Sequence, residues 1–378
     1  MRSSPHLRVL HLAKYAPPVR GGMETTTTEL LAALADRDDV TVDCYCYADR
    51  SSDEQRSAQV WLRRRRVTAV AASAPLSLAL LVSYWRARRE VDVVHVHLPN
   101  PWAALLAAWL ATQAKVVVTW HGTSTRYGRL RRWHNALNHR LLDRAAAIIV
   151  SMPANANVPE LAPHVDKIVV IPYGINPSRL ASSGEQDRDA RPVDVLFVGR
   201  LVYYKGLDTL IAATAQIDAQ VVLLGDGPLY TRLRDSVATC GLEGRIRFLR
   251  DADDAQLGDH IRRARVLVLP SETISESFGL SVLEAMAFAK PVVVTRLGTG
   301  LDEMVRTAEC GLIVAPRDPS ELAAAITSLL GDAKQRIRLG RNGFRAFEKN
   351  YTASQMADRV MQLYRAVTTP APATQVGE

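Results

Sequence analysis

The 378 residues, 48% of them hydrophobic, are enough for two cores, and ordinary glycine and proline numbers exclude a largely disordered chain. Four cysteines, with Cys44 and Cys46 two apart, match neither a metal spacing nor a disulfide framework and read as free thiols in a reducing compartment. The net charge of +8 lies wholly in residues 1–185, which hold 23 Lys+Arg and 15 Asp+Glu; this half favours an anionic partner, and without a nucleic-acid module that partner is a lipid surface rather than nucleic acid.

Leu7 to Ala13 is predicted as a strand, followed by a loop with Gly21-Gly22 and a helix from about Met23 to Ala35, the start of a doubly wound α/β unit. The apolar stretch is interrupted by Arg8, His11 and Lys14, so it does not read as a signal peptide. Gly21-Gly22 lacks the dinucleotide spacing; it either lets a diphosphate or an acceptor approach the backbone or is a flexible turn. After a strand at Val40 to Tyr47, Trp61 to Arg66 reads as an arginine-rich turn, either a solvated face or a dock for anionic headgroups. Val67 to Trp85 is uncharged between arginines, but Ser, Thr, several Ala and Pro75 favour a strand, a turn and a helix from about Pro75 over a membrane span.

Asp92 to Leu98 is a buried strand with His95 and His97 on one side. H-x-H can bind a metal, but no third ligand accompanies it in the sequence, and packing or cleft lining is the preferred reading. The strand Lys115 to Trp120 ends in His121, where a side chain points into the crevice that binds ligands in parallel sheets; a structural histidine is the alternative. Arg126 to Arg144 reads as a helix whose Leu130, Trp133, Leu137, Leu141 and Leu142 either pack inward or lie on a membrane. Ala145 to Val150 and Lys167 to Ile171 complete a first domain, residues 1–175, and the Ser/Asp/Arg-rich residues 181–192 form a linker.

The second domain, residues 176–350, opens with a strand at Asp194 to Val198 that delivers Arg200 and Lys205, each beside a glycine. The strand Gln220 to Leu224 leads into a turn at Gly225, and Arg245 to Leu249 leads into Arg250. Asp251 and Asp253 form a D-x-D, read as a helix cap rather than a metal site. Beyond Val266 to Leu269 comes a polar loop, a helix from about Phe278 to Ala289 and a strand at Pro291 to Thr295. Gly279 leaves the backbone open where the first helical N–H groups lack partners, a mouth suited to phosphate. Glu276 and Glu284 bracket that mouth, Glu284 about two turns in. A phosphate at the mouth with carboxylates for hydroxyls describes a nucleotide-sugar site. A helix over residues 351–367 and a disordered tail over 368–378 end the sequence.

Glu276-Ser-Phe-Gly-Leu-Ser-Val-Leu-Glu284 resembles the E-x7-E signature of the retaining GT-B glycosyltransferases of family 4, also described as glycosyl transferases group 1. Gly21-Gly22, Thr119-Trp-His121, Pro172-Tyr-Gly, Arg200 and Lys205 agree with it, and the resemblance spans residues 7–366. It implies α/β architecture of the GT-B type: two Rossmann-like doubly wound domains facing a central cleft, with helix 351–367 crossing back to the first. It implies that Arg200, Lys205 and the N–H groups of Phe278, Gly279 and Leu280 hold the donor diphosphate, Glu284 the ribose and Glu276 the sugar. His121 would position the sugar from the other domain; Gly225 and Arg250 would border the nucleotide, and Gly21 and Gly22 would line the cleft. The donor would be a nucleoside-diphosphate hexose such as mannose or glucose, and no tightly bound cofactor or metal is expected. The acceptor would be a saccharide or a polyprenyl-diphosphate-linked saccharide of a bacterial surface polysaccharide, met in the cytoplasm or on the inner membrane face. A 2-epimerase or phosphorylase on the same fold, or a non-catalytic nucleotide-sugar-binding partner, is the alternative.

Overall fold

The computed structural model describes residues 6–19, 21–71, 74–110, 112–122, 131–181 and 193–369, with side chains in the helix that starts at 131 described from 135. The chain divides into two compact units, Met1–Tyr173 with Ala353–Glu378, and Gly174–Thr352.

The first unit runs β1 (Leu7–Leu12), α1 (Gly22–Ala35), β2 (Val40–Ala48), β3 (Ser52–Gln55), β4 (Val60–Arg66), β5 (Ala69–Ala71), β6 (Ala74–Leu76), α2 (Leu78–Ala87), β7 (Val93–Leu98), α3 (Pro101–Trp109), β8 (Lys115–Trp120), α4 (Arg131–Arg144), β9 (Ala147–Val150) and β10 (Ile168–Val170). Its large sheet has the order β10-β9-β8-β7-β1-β2-β4-β3, parallel throughout except for β3 on the edge. Strands covered on both faces read as apolar runs, and every residue of β7 is buried. Leu10, Leu12, Val94, Val96, Val118, Leu141 and Leu142 share one core.

Two expectations are corrected here, and one open alternative is decided. Trp61 to Arg66 is a strand rather than a turn, because carboxylates on β2 and β3 neutralise it: Arg63 donates to Asp43 at 2.6 Å, Arg64 to Glu54 at 2.8 Å and Arg65 to Asp53 at 2.5 Å. Pro75 does not open a helix; it pairs with Val70 in the β5–β6 hairpin, and Ser77 caps α2 by accepting from the Leu80 N–H. In α4, Leu137, Leu141 and Leu142 are buried in the core and Arg140 stacks on Trp109 at 4.0 Å, so these leucines are not a surface stripe. Residues 126–130 lie outside the described residues, as do 182–192 of the expected linker and 370–378 of the expected tail.

The second unit runs β11 (Val193–Val198), α5 (Leu207–Thr214), β12 (Val221–Leu224), α6 (Tyr230–Thr239), β13 (Ile246–Leu249), α7 (Asp254–Arg263), β14 (Ala264–Leu269), α8 (Leu280–Ala287), β15 (Val292–Thr295), α9 (Gly300–Ala308), β16 (Gly311–Val314), α10 (Pro319–Gly331) and α11 (Ala333–Asn350). Its sheet is all parallel in the order β13-β12-β11-β14-β15-β16. Counted along the unit this is 3-2-1-4-5-6, the doubly wound order. The helix α8 starts two residues later than the sequence suggests, because Gly279 takes a left-handed φ of 78° immediately before it. There a Cβ would lie 2.6 Å from Leu301 Cδ1.

The last helix, α12 (Ala353–Thr368), belongs to the first unit and packs on α1. Met356, Ala357, Val360, Met361 and Tyr364 form its buried stripe at helical spacing. Arg37 ties it down through Asp358 at 2.6 Å, and Arg365 bonds to Asp39. Among the described residues no helix is long and apolar enough to cross a membrane. Cys44, Cys46 and Cys310 are free and buried, and Cys240 is free and exposed.

Candidate functional site

In the second unit the loops after β11, β12, β14 and β15 all leave the same sheet edge, because these strands are parallel. Strand order reverses between β11 and β14, so their loops diverge around a crevice, the usual ligand position in such sheets. Two features lock the pair of loops together. The Glu272 N–H donates to the Tyr204 carbonyl at 2.7 Å. Gly206 has a φ of 66°, and a Cβ there would meet the Pro270 carbonyl oxygen at 1.9 Å.

This seam brings Lys205 against Glu276, both buried. Lys205 Nζ donates to Glu276 Oε2, which also accepts from Ser271 Oγ at 3.1 Å. The Thr299 hydroxyl donates to the Glu276 carbonyl at 2.9 Å, tying in the start of α9. Burial pulls the Lys205 pKa down, but the carboxylate of Glu276 and the nearby Tyr204 outweigh it and the net shift is upward, so the amine stays charged. Arg200 is exposed at the head of the same loop. Gly225 packs its backbone on that of Gly199, and its neighbour Asp226 accepts from Arg250 Nε at 3.0 Å and Nη2 at 2.9 Å. Arg250 also stacks on Tyr230 at 4.5 Å. These contacts join the loops after β11, β12 and β13.

Helix α8 carries Leu280 as its first residue and Glu284 on its buried face. Glu284 is not a lone carboxylate: Arg179 Nη2 donates to its Oε1, and Arg179 Nη1 lies 3.4 Å from Asp254. A diol at Glu284 would share it with this guanidinium. Phe278 is buried and packs edge-on against Tyr351, with centroids 6.3 Å apart, so its contribution at the mouth is backbone. Asp253 caps α7, accepting from the Gln256 N–H at 2.8 Å while its own N–H donates to the Gln256 side chain, which occupies it structurally. Sequence reasoning missed Ser271 and Arg179. Ser271 could have been flagged by its place just after a buried strand.

Gly21, Gly22 and His121 lie in the first unit. Gly21 is the cap residue of α1 and Gly22, exposed, its first residue. His121 follows β8, and its N–H donates to the Leu98 carbonyl at 3.0 Å. Its ring contacts His97 and Tyr173. The expectation that no third ligand accompanies His95 and His97 is corrected: His11 on β1 brings a third nitrogen within 4.8 Å. The nitrogens of all three are hydrogen-bonded to rings or hydroxyls, and His95 and His97 stack at 20°.

Two doubly wound units in one chain are the architecture of the GT-B fold. Residues 20–179 match the family model for Glycosyltransferase Family 4 and residues 179–346 that for Glycosyl transferases group 1, and the chain belongs to this family of glycosyl-transferring enzymes. The O-antigen chain mannosyltransferase C of Escherichia coli is 30% identical over 371 residues, covering 95% of this chain and 98% of that one. In fold the chain is similar to sucrose-phosphate synthase from Thermosynechococcus elongatus, with a TM-score of 0.80 and 23% identity over 96% of this chain and 99% of the other. It is also similar to Anabaena HepE in complex with UDP, with a TM-score of 0.74 and 18% identity over 95% and 100%.

Proposed function

We propose that this glycosyltransferase moves mannose or a related hexose, with retention, from a nucleoside-diphosphate sugar to a saccharide or lipid-linked saccharide acceptor in surface-polysaccharide synthesis. The observation that carries the reading is the Lys205–Glu276–Ser271 cluster at the β11/β14 switch point, beside the start of α8. A donor diphosphate there would meet Lys205, Arg200 and the first N–H groups of α8, and Glu276 would accept from sugar hydroxyls. As the bond from the anomeric carbon to phosphate oxygen breaks, charge grows on the leaving diphosphate, and preplaced cations and helix N–H groups stabilise it. The acceptor oxygen bonds the anomeric carbon on the face the phosphate leaves, and the acceptor proton passes to the departing diphosphate. These charges supply what a divalent metal would otherwise supply, so turnover in EDTA is expected to persist.

Full-length similarity to a mannosyltransferase supports mannose, and the UDP complex of HepE supports a nucleoside-diphosphate donor. The basic first half supports docking of that unit on an anionic inner membrane face. Titration calorimetry of GDP-mannose, UDP-glucose and ADP-glucose against the wild type and Lys205→Ala tests the donor site. Binding of one donor, lost in the variant, is expected, and an NMR product spectrum gives the anomeric outcome. Equal binding to both proteins, or an inverted product, overturns the assignment. Sedimentation with phosphatidylglycerol vesicles that leaves the protein in the supernatant overturns the membrane part.

A further inference from the structure

Histidines from separate strands of the first unit meet in one row. β1 carries His11, β7 carries His95 and His97, and His121 follows β8. His11 stands opposite His95 in the parallel ladder, and alternation puts His97 on the same face. All eight ring nitrogens are hydrogen-bonded. Tyr173 Oη lies 2.9 Å from His121 Nδ1, His121 Nε2 lies 3.0 Å from His97 Nδ1, and His97 Nε2 lies 3.0 Å from His11 Nδ1. From there His11 Nε2 is 3.1 Å from Tyr364 Oη, which is 2.6 Å from His95 Nδ1, and His95 Nε2 is 2.6 Å from Thr119 Oγ1. Thr27 Oγ1 is a more distant neighbour of His97 Nδ1, at 3.4 Å.

A neutral imidazole has one N–H and one lone pair, so a ring that donates on one side accepts on the other. Where two rings meet nitrogen to nitrogen, two N–H groups or two lone pairs face to face would leave buried polar groups unmatched. The choice at one link therefore fixes the next. Tyr364 carries a single hydroxyl proton and hands the choice on: receiving from His11, it gives to His95, and the reverse. Two orderings satisfy every link. Either all four histidines carry the proton on Nε2, Tyr173 donating into the row and His95 donating to Thr119, or all four carry it on Nδ1 and the direction reverses. None of the seven groups is a carboxylate, and burial holds His97 down to about 3 and His11, His95 and His121 well below the ordinary value, so the rings stay neutral.

We infer that this row is a tautomer relay in which His11, His95, His97 and Tyr364 are positioning residues. They set which nitrogen of His121 carries the proton, and thereby whether Tyr173 gives its hydroxyl proton to His121 or directs it elsewhere. The functional part rests on the reading that places His121 near the transferred sugar; the tautomer coupling does not.

The test is a long-range 1H–15N correlation spectrum of the full-length enzyme labelled in its histidine rings, without substrate. In the wild type His11, His95, His97 and His121 are expected to share one tautomer, and a mixed set overturns the relay. Tyr364→Phe leaves His11 Nε2 facing a ring with no acceptor, so His11, His97 and His121 are all expected as Nδ1–H; Nε2–H on any of them in the folded variant overturns it. With donor and acceptor present, that variant is expected to lose about tenfold in kcat with little change in donor KM. Turnover of His121→Ala tests the sugar assignment separately, so failure of either reading is recognisable.

Discussion

Lowering the pH from 7.0 to 5.5 is expected to destabilise the first unit. Its four linked histidines are neutral in the folded protein, with pKa values below the 6.5 of an unfolded chain. Their contribution is therefore complete above pH 6.5 and is lost as the pH falls from there toward the folded values. For His97, the interval from 6.5 to about 3 corresponds to roughly 5 kcal/mol over its whole range. One pH unit below 6.5, at pH 5.5, His97 alone has lost about 1.4 kcal/mol of this, and His11, His95 and His121, shifted the same way by burial, add to the loss. His164 shifts the same way, by burial, and adds to the effect. Paired carboxylates do not confuse the window: Arg37 holds Asp39 low and Arg64 holds Glu54 low, so their contributions fade only as the pH drops below their ordinary 3.8 and 4.5. All six tryptophans, at 61, 85, 102, 109, 120 and 133, lie in the first unit, so tryptophan fluorescence during urea unfolding reports on it alone. A loss of less than about 1 kcal/mol between the two pH values would refute the neutral-row reasoning.

In Lys205→Met, buried Glu276 is left without its cation, which should cost about 3 kcal/mol in calorimetric unfolding and at least ~100-fold in turnover. The double variant with Glu276→Gln should cost less than the sum of the two singles; additive losses would mean that the pair is not coupled. Gly206→Ala forces a left-handed alanine into the Pro270 carbonyl and is expected to lose about 2 kcal/mol or more of stability, an unchanged melting temperature counting against the tight seam. Asp253→Ala should lose about 1 kcal/mol of helix capping with turnover intact. A large activity loss rescued by added manganese would instead restore the metal reading of the D-x-D.

The alternation of apolar strands with helices was legible, because buried parallel strands need near-continuous Val, Ile and Leu and the glycines mark where they turn. Lys205 and Glu276 were each legible as cues, but their contact was not: 71 residues separate them, and the strand order that closes the gap is a property of the sheet. The arginines of β4 were misread for a related reason. Four consecutive cations look solvated until Asp43, Asp53 and Glu54 arrive on the neighbouring strands. The histidine row shows the limit most plainly. A period of two pairs His95 with His97, but no local pattern links them to His11 or to Tyr364, which lies 353 positions from His11.

Because Tyr364 sits on α12, the unit made first at the ribosome is finished last. Residues 174–352 must be synthesised in between, and at typical bacterial-to-eukaryotic elongation rates that takes roughly 10 to 35 s. During that interval His11 and His95 lack the hydroxyl that joins them, and the side of α1 that α12 will cover is open. The nascent first unit thus waits with an incomplete interior while the second can already close on itself. A chaperone that shields apolar helix surfaces would find its opportunity there, and a stop codon just before residue 353 would damage the beginning of the protein as well as remove its end.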